Sequence, residues 1–289
     1  MIKFFFYIGV YYMFLEMSDE INIFVKEVGQ GTPCVFIHGG PGAWSYEFEI
    51  LCGDYLEDTM KMVYLDQRGC GRSEGEPNSD YSIMRIVEDI EEVRKKLNIK
   101  NWIVLAHSFG GIIALNYAHK YEEYVQGIIL ANCTLNMNDS LESQIEYGSK
   151  LLSQDESQLN SSETIMERWQ KNFVRLIEKD IFYKLQYNDY DNYVKVNEVS
   201  SSMENTSMAQ QAFNNADYFS SFYHLTKDIT TPVLVIAGDE DYAIGCDHYK
   251  KFMFPNAKIE IIKGKHVLYV ENREKFIKTI NEFTNCLDS

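Results

Sequence analysis

The stretch Val104-Leu-Ala-His-Ser-Phe-Gly-Gly111, VLAHSFGG, decides how the chain is read. It comes close to the G-x-S-x-G nucleophile elbow, with Ala106 standing where the first glycine belongs. The elbow needs a strand before the serine and a helix after it, so that the backbone turns sharply and Oγ projects outward. WIVLA supplies the strand and GGIIAL opens the helix. Positions two before and two after the serine must be small, because strand and helix close in there. Gly110, followed by Gly111, meets that demand, and Ala106 adds one methyl group. Taken alone, the stretch fits an ordinary serine helix cap as well as it fits a nucleophile.

Outward from it, short apolar runs alternate with helical stretches. CVFIHGG, MVYLDQRG, WIVLAHS, VQGIILANC, PVLVIAGDED and AKIEIIKG read as strands of a sheet covered on both faces. Between them, Ile83, Ile86, Val87, Ile90, Val93 and Leu97 form one stripe at helical spacing, with Glu91–Lys95 and Glu92–Lys96 on the far side. GGIIALNYAHKY reads as a buried helix, DHYKKFMF and ENREKFIKTINEFTN as later ones. The alternation predicts an α/β fold: a mostly parallel central sheet with helices on both faces. The rhythm breaks over 135–227, which is polar and helical and ends in tyrosine-rich and short segments. The expected organisation is a core of residues 15–134 and 228–289, a helical cap inserted at 135–227, and an apolar N-terminal extension at 1–14. Such a cap would sit over the C-terminal edge of the sheet, where open α/β sheets place their sites.

A nucleophilic serine needs a base and an acid to orient it. GDED puts Asp241 in the loop after one late strand, and GKH puts His266 just past the final one. The chain order Ser108, Asp241, His266 is the α/β-hydrolase order. Asp239 and Glu240 compete for the acid's role. His107, His119, His224 and His248 lack the position after a last strand, and His248 is expected to face solvent. His38-Gly-Gly-Pro-Gly42, again at a strand end, lets backbone approach a ligand closely. The amides of Gly40 and Phe109 would then make an oxyanion hole.

HGGPG, DQRGCGRS (Asp66 to Ser73), AHSFGG, GDED and GKH together resemble the proline iminopeptidase group of α/β-hydrolases, over roughly residues 21–134 and 228–285. The resemblance implies Ser108 as nucleophile, His266 as general base, Asp241 as its partner, and Gly40 and Phe109 as oxyanion amides. It also implies carboxylates that pair with a free N-terminal amine. Where some members carry a glutamate after the acid, this chain has Tyr242, and their Trp–Glu cap motif is only echoed by Arg168-Trp169-Gln170. Glu204, Glu167, Trp169 and Tyr242 are therefore the candidates for substrate binding. The expected activity is release of N-terminal proline or small residues from peptides. Hydrolysis of small esters, lactones or amides is the second reading, and a small-ligand receptor on a hydrolase fold the third.

The chain has 289 residues, 45% of them hydrophobic, and 27 basic against 43 acidic side chains, a net charge of −16. That surface would repel a polyanion, which excludes nucleic acid as a partner. The expected partner is a small-molecule or short-peptide substrate; the chain leaves the oligomeric state open. Six cysteines at 34, 52, 70, 133, 246 and 286 show no C-x-x-C spacing. Neither zinc nor another metal or cofactor is expected, and a reducing, cytoplasmic location is the simplest reading. MIKFFFYIGVYYMF at the start is too short to span a bilayer comfortably and lacks an A-x-A-like cleavage site. An early start ahead of Met13 or Met17, an edge strand, and a membrane-targeting segment are the three readings of it.

Overall fold

The computed structural model describes residues 3–7, 10–153 and 162–287. Residues 1, 2, 8 and 9 of the apolar N-terminal run and 154–161 of the expected cap lie outside the described residues. Nine strands among the described residues form one sheet. In chain order they are β1 (Lys3–Tyr7), β2 (Val10–Glu16), β3 (Asn22–Val28), β4 (Thr32–Ile37), β5 (Met60–Leu65), β6 (Trp102–His107), β7 (Val125–Ala131), β8 (Val233–Gly238) and β9 (Ala257–Ile262). Their spatial order is β1-β2-β3-β5-β4-β6-β7-β8-β9. The first three pair antiparallel with their neighbours, and every pair from β5 to β9 is parallel. All six apolar runs are strands of this α/β sheet. The N-terminal run contributes the antiparallel edge pair of β1 and most of β2, and Met13, with Leu15 just past the run, is in the core.

Parallel strands need crossovers, and these cover the sheet on both faces. α1 (Ile83–Lys96) starts at Ser82, whose side chain accepts the Arg85 amide, and buries Ile83, Ile86, Val87, Ile90 and Val93. Glu91 pairs with Lys95 as the spacing predicts, but Glu92 turns instead to Arg85 and the Ser18 hydroxyl. α2 (Gly110–Tyr121) is buried along most of its length. With α1 it packs on one face of the sheet. The last helix, Arg273–Leu287, closes the other face with Phe276, Ile280 and Phe283. β8 is buried at every position, whereas β9 at the sheet's edge leaves Ile259 and Ile261 exposed.

Between β7 and β8 lie α3 (Met137–Leu151), α4 (Ile165–Glu178), α5 (Tyr190–Ser200) and several short turns, with no strand of the sheet among the described residues. The helix expected over DHYKKFMF is a single 3-10 turn at His248–Lys251. Gly245, at φ 97, precedes it and Pro255 follows soon after, leaving room for one turn. Its His248 is buried rather than solvent-facing. Nδ1 meets the Gly245 carbonyl at 2.7 Å, and the ring packs edge-on to Phe252. All six cysteines are free, four of them buried. Among the described residues no helix is long and apolar enough to cross a membrane.

Candidate active site

The C-terminal ends of β4, β6, β7, β8 and β9 deliver the site's residues to one edge of the sheet. Ser108 follows β6 directly and precedes α2 by one residue. Its φ of 54 is left-handed, a strained conformation for a serine. Hydrogen bonds hold it there: its amide donates to the Asn132 carbonyl at 3.1 Å, and its carbonyl accepts from Gly111 and Thr134. A Cβ on Gly110 would come within 2.3 Å of the Ile37 carbonyl, so the helix can start this close to β4 only on glycine. Ala106 is fully buried in β6, where its methyl group is accommodated.

His266 Nε2 stands 2.9 Å from Ser108 Oγ, and Nδ1 stands 2.9 Å from Asp241 Oδ2. Asp241 is fully buried. Its Oδ1 accepts the amides of Ala243 and Ile244, and its Oδ2 also accepts the Asn132 side-chain amide at 2.6 Å. Burial alone would raise the Asp241 pKa. The His266 ring and these donors outweigh it and hold the carboxyl below its usual range. The competing acids do not reach the ring: Asp239 accepts the Gly264 amide, and Glu240 is exposed. His119 and His224 are exposed as well.

His107, next to the serine, is a neutral ring, its pKa lowered to about 3 by burial first and by neighbouring His266 second. Its Nε2 meets the His266 carbonyl at 3.0 Å; a carbonyl only accepts, so this nitrogen carries the proton. The His266 amide in turn donates to the Gln186 carbonyl. The loop that bears His266 is thus fixed from both sides.

The His38–Gly42 loop approaches Ser108 so closely that a Cβ on Gly39 would meet the serine's Cβ at 2.7 Å. The amides of Gly40 and Phe109 have no hydrogen-bond partner among the described residues. The DQRGCGRS segment braces this loop. The Gln67 amide donates to His38 Nε2 at 2.9 Å, and its side chain donates to the His38 carbonyl. Buried Asp66 accepts from Ser45 and from Arg72, while buried Arg68 is held by Asp19 and Asp89. Ser108 and His266 share a cleft with Gly40, Trp44, Glu47, His107, Gln186, Tyr187 and Tyr269.

The four substrate-binding candidates are not in that cleft. Glu167 is exposed, its carboxylate taken up by the capping box with Thr164 at the start of α4. Glu204 is exposed. Trp169 stacks on Phe173 and donates to Gln144. Tyr242 stacks on Tyr147 and lines a neighbouring surface cleft with Asp139, Glu142 and His248. Sequence reasoning missed Asn132 and Glu47. Neither belongs to a motif; they join the site only through the pairing of β7 with β6 and through the turn behind HGGPG.

A serine, a histidine and a buried carboxylate in line at the C-terminal edge of a parallel sheet, beside two unengaged amides, define a hydrolase of the α/β class. The family model described as the alpha/beta hydrolase fold matches residues 32–273, and the chain belongs to that family. Within it the resemblance is to proline iminopeptidases. That of Neisseria gonorrhoeae is 39% identical over 124 residues, 40% of this chain and 38% of the relative. The chain therefore spans less than two fifths of the length of that relative. The proline iminopeptidase of Heyndrickxia coagulans is 26% identical over 291 residues, 95% of this chain and 98% of the relative. Among solved structures, the proline iminopeptidase of Mycobacterium smegmatis superposes with a TM-score of 0.78 at 20% identity, over 96% of this chain and 98% of that one. That likeness is one of fold. Among the described residues no group of three His, Cys, Asp or Glu side chains is placed to hold a metal ion.

Proposed function

We propose that the chain is a serine hydrolase that works through an acyl-enzyme and releases N-terminal proline or a small residue from short peptides. The observation that carries the chemistry is the unbroken line Ser108 Oγ–His266 Nε2, His266 Nδ1–Asp241 Oδ2, at 2.9 Å for each link. Ser108 Oγ attacks the carbonyl carbon while His266 Nε2 takes its proton. Asp241 holds the ring in the tautomer that leaves Nε2 free to accept, and stabilises the imidazolium. The developing oxyanion turns to the Gly40 and Phe109 amides, each such donor being worth on the order of 10²–10³ in rate. His266 returns the proton to the leaving amine, and water then hydrolyses the ester by the same route. The helical stretch 135–227 acts as the cap that sets which substrate enters.

A fluorophosphonate probe tests the nucleophile: labelling of the parent that disappears in Ser108→Ala supports it, and equal labelling of both refutes it. Proline-, alanine- and N-blocked proline-naphthylamide, set against p-nitrophenyl acetate and butyrate, test the substrate. Cleavage of the free-amine proline compound but not its blocked form supports the aminopeptidase. Equal handling of both, or ester turnover alone, moves the assignment to a small-molecule esterase.

A further inference from the structure

One carboxylate of the cleft has no part in that chemistry. Glu47 lies in the short helical stretch Tyr46–Phe48, directly behind the HGGPG loop, and lines the cleft together with Ser108 and His266. The Ser200 hydroxyl, at the last residue of α5, donates to its Oε1 at 2.6 Å. Among the described residues this is its only hydrogen bond, and no Lys, Arg or His forms an ion pair with it. Burial pushes its pKa up to about 6, and the serine's hydrogen bond offsets only part of that. At neutral pH the group is therefore mostly ionised, in a setting that does not compensate its charge.

The surroundings offer a cation a place without supplying one. Tyr187 and Tyr269 face Glu47 and are kept un-ionised by burial, while His38 and His107 are kept neutral by the same cause. Trp44 lines the cleft too, its indole N–H without a hydrogen-bond partner among the described residues. Aromatic faces and an unpaired carboxylate make a site suited to an ammonium group. Glu167 and Glu204, which the sequence puts forward for that task, are turned to solvent elsewhere.

We propose that Glu47, positioned by Ser200, binds the protonated amine of the substrate, so that this site selects molecules carrying an ammonium group close to the carbonyl that Ser108 attacks. The proposal deepens the serine-hydrolase reading by naming what the cleft recognises, and it places the selecting carboxylate on the sheet core rather than on the cap helices. A purely structural Glu47 would tie α5 to the core, and its removal would lower stability without touching ligand preference.

The test is binding without turnover. L-prolyl-2-naphthylamide and its N-acetyl form are titrated calorimetrically into Ser108→Ala at pH 7.5, with and without Glu47→Gln. The free-amine form should bind on the order of 10–100-fold more tightly, the range of a charge-assisted hydrogen bond, and Glu47→Gln should abolish the difference. Equal affinities with Glu47 present, or a preference that survives Glu47→Gln, would overturn the proposal. Thermal melts keep the comparison fair: removing a poorly compensated charge should leave the double variant at or above the melting temperature of Ser108→Ala. Ser200→Ala supplies a second arm. With its hydrogen bond gone the Glu47 carboxyl protonates more readily, so the amine preference should weaken at pH 6 and recover at pH 8; a preference unaffected at both pH values counts against the proposal. Turnover by the parent is scored separately. A parent that prefers the amine yet cleaves nothing refutes the serine-hydrolase reading and leaves the ammonium site standing.

Discussion

Asn132 shows how much of the site hangs on one residue outside any motif. Its φ of 47 is a left-handed conformation that asparagine tolerates better than most side chains. From there its carbonyl accepts the Ser108 amide, and its side-chain amide donates to Asp241 and to the Lys265 carbonyl. One residue thus ties together the loops that carry the serine, the acid and the histidine. Asn132→Gly keeps that backbone conformation and deletes the amide. Asp241 then loses a donor to its charged form, its pKa rises from its lowered value, and kcat/KM at neutral pH should fall by about tenfold as the acid is held less firmly against His266. Asp241→Asn, which takes away the charge and the correct tautomer, should lower kcat by on the order of 10⁴. An Asn132→Gly variant with the parental kcat/KM would show that the asparagine does not position the acid. In sequence Asn132 is only the residue after a strand. That Ser108, Asp241 and His266 would come together was legible because each also follows a strand, in an order that matches known chemistry; the roles assigned to them are proposed.

At the scale of the element, the elbow works because β4, β6 and α2 approach one another almost backbone to backbone. Gly110 is the contact point: an added Cβ would lie 2.3 Å from the Ile37 carbonyl and 2.7 Å from the His38 carbonyl, neither of which can swing aside as a side chain would. Gly110→Ala should therefore push α2 away from β4, destabilise the fold by about 1–3 kcal/mol and displace Ser108 from His266. A displacement of about 1 Å is enough to lower the rate on the order of 10²-fold. Chemical denaturation and ester turnover measure the two effects, and a variant parental in both would mean that the elbow has slack. The strands here could be read from their continuous apolar runs. The turn at His248–Lys251 could not, because its sequence is helical in pattern while Gly245 and Pro255 limit it to a single turn. His248 then follows the local packing inward, against the expectation of an exposed ring.

Across the whole molecule, long-range contacts tie the helical stretch between β7 and β8 to the sheet edge that carries the candidate site. Gln186 accepts the His266 amide, Lys265 Nζ donates to the Lys184 carbonyl, Ser200 meets Glu47, and Asn205 exchanges backbone hydrogen bonds with Gly71. Such partners are some 80 to 150 residues apart, so the sequence could put the stretch over the sheet's C-terminal edge but not say which residues meet there. The same burial that shapes the site sets the response of the entire fold to acid. His38 and His248 are buried and His107 is half-buried, all three with lowered pKa values, so the folded state binds fewer protons than the unfolded chain. Their contribution is complete above the unfolded value of about 6.5 and is lost as pH falls below it. For His107, lowered to about 3, the loss at pH 5 comes to about 2 kcal/mol. Raised carboxyls act with the opposite sign: Glu47, raised to about 6, destabilises the fold as pH climbs through its window, and Glu57 and Asp89 shift the same way. Asp66 and Asp241, both lowered, add stability that is lost only below about 3.8. Between pH 7.5 and 5.0 the loss of about 2 kcal/mol from His107 exceeds the roughly 1 kcal/mol that Glu47 regains, and His38 and His248 shift the same way as His107, so the urea midpoint should fall over that interval. His107→Gln, which can still donate to the His266 carbonyl, should flatten the fall by removing the largest quantified share. A midpoint that holds steady or rises on acidification would mean that relief of repulsion within the −16 net charge outweighs the buried rings.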